Sequence, residues 1–123
     1  LNDLRGFLKS GRNIVLYPEG TTNDGYQLLP FKSSLLGVTD EQDILIQPVT
    51  IKYPRFGKSY LDVDKATAVA WVGDVSLLPH LWRMFLNPSA EAEIIFHEPF
   101  QSSLFSNRKA IAKHCQALIS QGF

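Results

Sequence analysis

The residues best placed to do chemistry sit together near the start of the chain. They form the run Tyr17-Pro18-Glu19-Gly20-Thr21-Thr22-Asn23-Asp24-Gly25, followed by Leu29-Pro30-Phe31-Lys32. Gly20 and Gly25 let a backbone approach a ligand or adopt a positive φ. Thr21 and Thr22 offer hydroxyls, Lys32 offers a cation to a phosphate, and Glu19 places a carboxylate beside them. That set suits the binding of a polar or anionic head group. The same residues also describe a tight turn in which Thr21 and Asp24 satisfy backbone groups, and composition leaves both readings open.

The remaining candidates point to structure. His80 falls in an aromatic segment with Trp82, Met84 and Phe85, and His97 falls on a strand beside Phe96. His114 and Cys115 are adjacent on a helical pattern, so they face different directions and make a poor dyad. Asp62 and Asp64 form a carboxylate pair without a third ligand, so no metal site is expected. Arg55, Lys58 and Tyr60 could touch an anionic head group, although a solvated loop explains them as well.

These residues are positioned by a chain of 123 residues, read as one domain spanning 1–123. Twelve basic and twelve acidic residues cancel, and the pI near 7.0 argues against a nucleic-acid partner. One cysteine excludes an intrachain disulfide framework and gives no zinc cluster. No apolar run approaches the roughly 18 residues of a membrane span, and no signal-peptide pattern opens the chain.

Apolar spacing predicts a helix over Asn2–Ser10 stopped by Gly11, a buried strand over Asn13–Tyr17, and a short helix over Phe31–Val38. A strand follows over Ile44–Tyr53, with Pro48 expected at a bulge, edge or end. Pro54–Lys65 reads as a connection, Thr67–Val72 as a strand, and Leu77–Leu86 as a helix with Pro79 in its first turn. Ala92–His97 reads as a strand and Asn107–Ser120 as a helix capped by Ser106, with Ile111, Cys115, Leu118 and Ile119 on one face. The alternation predicts an α/β class, with a mixed sheet flanked by helices. Leu81, Trp82, Phe85 and Leu86 with Arg83 suit either packing on that sheet or a membrane interface.

Tyr17-Pro18-Glu19-Gly20-Thr21 resembles the Phe-Pro-Glu-Gly-Thr block of the glycerolipid acyltransferases, the family that includes 1-acylglycerol-3-phosphate acyltransferase. Leu29-Pro30-Phe31-Lys32 follows it much as Pro-Phe-Lys does in that family. Ile46-Gln47-Pro48-Val49-Thr50-Ile51 resembles the family's fourth block, an apolar strand carrying a proline. Ala70-Trp71-Val72-Gly73-Asp74, Glu98-Pro99-Phe100 and Asn107-Arg108-Lys109 look like the branch of bacterial enzymes that acylate lyso-phospholipids or lyso-ornithine lipid. The resemblance covers essentially the whole chain.

It implies a partial acyltransferase domain with Glu19, Gly20, Thr21, Thr22 and Lys32 as substrate-binding residues. It also implies acyl-CoA or acyl-carrier protein as donor, a lyso-lipid as acceptor, and no cofactor. The family base is a His with four residues between it and an Asp, worth roughly 10²–10⁴-fold in rate. Here the positions five after His80, His97 and His114 are Phe85, Ser102 and Ile119, so that block is absent and no catalytic residue is assigned. The chain is therefore expected to be the carboxyl-terminal part of a longer enzyme and inactive alone. The family often has Arg where Thr22 stands, which favours a non-phosphate acceptor such as lyso-ornithine lipid. The resemblance also implies the cytoplasmic face of a bacterial inner membrane for the whole enzyme. A partial domain is expected to leave apolar surface exposed and to self-associate. The alternative is a non-catalytic lipid- or phosphate-binding module built on the same fold.

Overall fold

The structure is a computed structural model that describes residues 2–23, 27–56, 59–60, 76–86 and 89–122. Helix α1 spans Asn2–Lys9. It ends as its sequence predicts. Gly11 takes φ +76, its N–H reaches Leu8 O at 2.9 Å, and Arg12 N reaches Phe7 O at 3.1 Å. That pair of bonds satisfies the last carbonyls through a left-handed residue, which glycine adopts without a Cβ penalty.

The segment after it departs from expectation. Residues 12–17 form no strand ladder among the described residues. Burial still alternates: Ile14 and Leu16 are half-buried, whereas Val15 is 81% and Tyr17 72% exposed. The apolar run set a side-chain period, but a ladder also needs a partner strand, and periodicity does not supply one. The following helix is a 3-10 helix over Ser33–Asp40, with Leu36, Gly37 and Val38 buried. It starts later than predicted because Lys32 is extended (φ −76, ψ 98) and its N–H donates to Pro18 O at 2.8 Å.

Strands β1 (Leu45–Ile46) and β2 (Val49–Phe56) occupy the predicted second strand, broken at Gln47-Pro48 as the proline requires. β2 then runs through Pro54, correcting the expected connection there. The register passes from Lys52 opposite Glu93 to Arg55 opposite Glu91, so Tyr53 and Pro54 together oppose one residue. A bulge of this kind tolerates the missing proline donor. β3 (Ser59–Tyr60) pairs with β2, and β4 (Ala90–Phe96) pairs with its other edge, giving the order β3-β2-β4. β5 (Phe100–Gln101) pairs with β1 in a second small sheet. Every pairing described is antiparallel. The predicted strand over 67–72, and Lys58, Asp62 and Asp64, lie outside the described residues.

Helix α2 occupies Leu77–Leu86 as predicted, with Pro79 in its first turn. It buries His80 (5% exposed) while Leu78, Trp82 and Phe85 stay exposed. Among the described residues no helix is long and apolar enough to cross a membrane. Helix α3 spans Arg108–Gln121, and its N-cap is Asn107 rather than Ser106. The Asn107 Oδ1 accepts from Lys109 N and Ala110 N, both at 3.0 Å, which satisfies two of the free donors of the first turn.

The core forms where α3 meets the 3-10 helix over 33–40. Leu36, Ile111, Ala112 and Cys115 are buried together, with Leu16, Phe31, Ile46 and Phe100 packed around them. Both ends of the loop that carries the candidate site, Leu16 and Phe31, are thus rooted in one cluster. A second junction fixes β5 to β1. Asp43 accepts from Ser103 N (2.9 Å), Ser103 Oγ (2.9 Å) and Ser102 Oγ (3.1 Å). The backbone N–H of Ser103 and then its hydroxyl hold the Asp43 carboxyl below its ordinary value of 3.8. The chain is α/β, with helices beside small antiparallel sheets.

Candidate functional site

A β-turn opens the site. Gly20 N donates to Tyr17 O at 3.1 Å, with Pro18 at the position where its fixed φ suits a turn. Gly20 then takes φ +63. Lys32 lies across it: a Cβ on Gly20 would stand 3.1 Å from Lys32 Nζ and 3.2 Å from Cδ. Gly20 is thus required twice, for its backbone conformation and for the room it leaves the lysine.

Glu19 is half-buried, and its Oε2 already has two donors. Asn23 Nδ2 reaches it at 2.8 Å and Leu29 N at 2.9 Å. Asn23 Nδ2 also donates to Gln27 O at 2.8 Å. Thr21 and Thr22, between Glu19 and Asn23, are exposed. The predicted residues Glu19, Gly20, Thr21, Thr22 and Lys32 are therefore brought together in one compact loop. Asn23 lies in the same run, but the sequence assigns it no role of its own. Its place four residues after a carboxylate was the available signal.

Glu19, Thr21 and Thr22 line one side of an open cleft of about 1440 Å³. Leu16, Phe31 and Ile46 line it from the core side, and Ile51 and Phe96 from the exposed face of the β2–β4 pair. Polar groups at one end and apolar walls beyond suit a molecule with a polar head and an alkyl chain. Gly20 and Lys32 belong to the same turn without lining the cleft.

The histidines read as structural hold structural positions where their contacts are described. The Thr50 side chain is fully buried; its hydroxyl donates to Ile119 O at 3.1 Å and lies 2.8 Å from His97 Nε2. A threonine has one proton to give, so His97 Nε2 carries the hydrogen of the shorter bond. The His114 ring packs on Phe100 and Phe105 at centroid distances of 5.0 and 4.8 Å. Cys115 is buried in the core, where loss of hydration pushes its thiol up from 9.0 to about 11. That makes it an inert packing residue. Among the described residues no three His, Cys, Asp or Glu side chains form a group that could hold a metal.

Residues 1–52 match the Acyltransferase family. The loop therefore lies within the segment that matches the Acyltransferase family, as the resemblance of its Glu-Gly-Thr block implied. It is 33% identical over 119 residues to the lyso-ornithine lipid O-acyltransferase of Brucella abortus, covering 91% of this chain and 45% of that protein. It is 34% identical over 126 residues to the lyso-ornithine lipid O-acyltransferase of Rhodobacter capsulatus, covering 94% of this chain and 42% of that protein. The 1-acyl-sn-glycerol-3-phosphate acyltransferase of Neisseria gonorrhoeae is 32% identical over 77 residues, covering 63% of this chain and 28% of that protein. The chain spans less than half the length of these curated bacterial relatives. No solved structure matches it.

Proposed function

We propose that this chain is the acceptor-binding part of an enzyme that acylates the free hydroxyl of a lyso-lipid, with lyso-ornithine lipid as the favoured acceptor. The observation that carries this reading is the Glu19–Lys32 loop at the polar end of an apolar cleft, in a chain similar over nine-tenths of its length to lyso-ornithine lipid O-acyltransferases. Thr21 and Thr22 supply hydroxyls to the head group from the cleft lining, and Lys32, in the same turn but outside that lining, supplies a positive charge at its edge. An ammonium at the edge of the turn suits a carboxylate. A phosphate would favour the bidentate fork of an arginine, which Thr22 does not provide.

In the reaction the acceptor oxygen attacks the carbonyl of an acyl thioester, carried by acyl-CoA or acyl-carrier protein. The C–S bond breaks, the thiol leaves with a proton, and an ester remains. No cofactor is required. The general base that takes the hydroxyl proton comes from residues beyond this chain, because none of its three histidines has the His–Asp spacing. The complete enzyme works at the cytoplasmic face of a bacterial inner membrane, where such acceptors reside.

The test is acyl transfer by the full-length protein in detergent micelles, comparing lyso-ornithine lipid with lysophosphatidate. A kcat/KM roughly tenfold or more in favour of lyso-ornithine lipid is expected, a discrimination of about 1.4 kcal/mol. Preference for lysophosphatidate would overturn the acceptor assignment. Binding of either lipid without turnover would favour the non-catalytic module.

A further inference from the structure

We propose that Asn23 is a positioning residue, which clamps Glu19 so that the loop presents Thr21 and Thr22 to the acceptor. The inference rests on the acceptor-binding reading of this loop and extends it to a residue outside the predicted set. The two described partners of Asn23 Nδ2, the Glu19 carboxylate at 2.8 Å and the Gln27 carbonyl at 2.8 Å, are acceptors. Only the amide nitrogen can face them, so the orientation of this side chain is fixed by chemistry. The same Glu19 oxygen takes Leu29 N at 2.9 Å. Glu19, Asn23 and Leu29 are thereby cinched at a single atom, and the two threonines sit inside the shorter span.

Two consequences separate this clamp from direct head-group contact by Glu19. A glutamine at position 19 keeps an oxygen that can accept from both donors. An aspartate at position 23 cannot serve: at neutral pH it has no donor and sets carboxylate against carboxylate. Lowering the pH lets that pair share a proton, which restores one O–H···O bond across the gap. The Asn23→Asp defect is therefore present at high pH and relieved on acidification, relative to wild type at each pH.

The experiment uses the full-length protein and two readouts: steady-state kinetics with lyso-ornithine lipid, and amide hydrogen exchange at Leu29. Asn23→Ala is expected to raise the acceptor KM roughly tenfold with kcat changed less than about threefold, and to speed Leu29 exchange roughly tenfold. Asn23→Asp is expected to match it at about pH 8 and to recover roughly threefold in KM near pH 6. Glu19→Gln is expected to keep Leu29 protection within about threefold, whereas Glu19→Ala loses it. An unchanged KM in Asn23→Ala, a flat pH response of Asn23→Asp, or equal exchange in Glu19→Gln and Glu19→Ala overturns the clamp. A wild type that fails to acylate lyso-ornithine lipid overturns the acceptor reading instead, and Leu29 exchange still decides whether the clamp exists.

Discussion

Replacing Gly20 with alanine separates two jobs that one residue performs. Its φ of +63 lies in the left-handed region, where a Cβ costs about 1–2 kcal/mol. Alanine also stiffens the unfolded chain, which offsets about 0.4–1 kcal/mol of that. The net expectation is a loss of about 1 kcal/mol, or roughly 3–6 °C in Tm for a chain of this size. The new methyl would also meet Lys32 Nζ at 3.1 Å and Cδ at 3.2 Å. An exposed lysine side chain yields easily, so this contact adds little to the stability loss. It moves the ammonium instead, because the Lys32 backbone is held by its bond to Pro18 O at 2.8 Å.

The functional effect of Gly20→Ala should thus reproduce that of Lys32→Ala. An exposed charge is worth up to about 1 kcal/mol, so each single variant should raise the acceptor KM about fivefold. The double variant should also stay near about fivefold, because both changes remove one interaction. Urea denaturation and acceptor kinetics on the four proteins complete the cycle. Additive KM effects near about 25-fold would refute the shared mechanism. A stability loss that vanishes in the Lys32→Ala background would show that the strain is steric rather than torsional.

Asp43 contributes stability above its ordinary carboxylate value of 3.8 and loses it as the pH falls through its lowered folded value. Asp43→Asn should therefore flatten the acid limb of urea midpoints measured from about pH 6 to pH 2, and an unchanged limb would remove Asp43 from that role. Cys115, raised from 9.0 to about 11, should carry about a hundredfold less thiolate near pH 8. Its modification by an aromatic disulfide should be slower by at least that factor in the native than in the urea-unfolded chain, and equal rates would contradict its burial. At Gly122 a Cβ would stand 2.9 Å from the buried Thr50 Oγ1 and 3.2 Å from Ile95 Cδ1. Gly122→Ala should cost about 1–3 kcal/mol in thermal unfolding, whereas an unchanged Tm would mean that the end of α3 moves aside freely.

Features set by local chemistry were legible in the sequence. Gly11 stops α1, Pro48 splits the second strand, and α2 runs from Leu77 to Leu86, because each depends on residues within a few positions. Residues 12–17 carried the apolar signature of a strand and pair with none described, since pairing is a property of distant partners. Pro54 read as a breaker, yet a bulge absorbed it inside β2. Ser106 and Asn107 are both capping residues side by side, and only backbone geometry showed that the Asn107 carboxamide meets the two free donors. The loop residues were found by their string, whereas the Glu19–Asn23 bond was not, because a motif names residues without saying which way they point.

That distinction bears on how an exposed loop can recognise a head group. Thr21 and Thr22 lie at the surface, where burial fixes nothing. Their order comes from ties within the loop: Gly20 N to Tyr17 O, Lys32 N to Pro18 O, and the two donors on Glu19. Leu16 and Phe31 then anchor both ends of the loop in the cluster around Ile111 and Cys115. The conformational entropy of the loop is lost when the chain folds rather than when the acceptor arrives, which strengthens binding without any added contact. A cavity beneath either anchor should therefore weaken acceptor binding from a distance. On the proposed reading, the Glu-Gly-Thr string can work as a site only because apolar residues outside it hold its two ends in place.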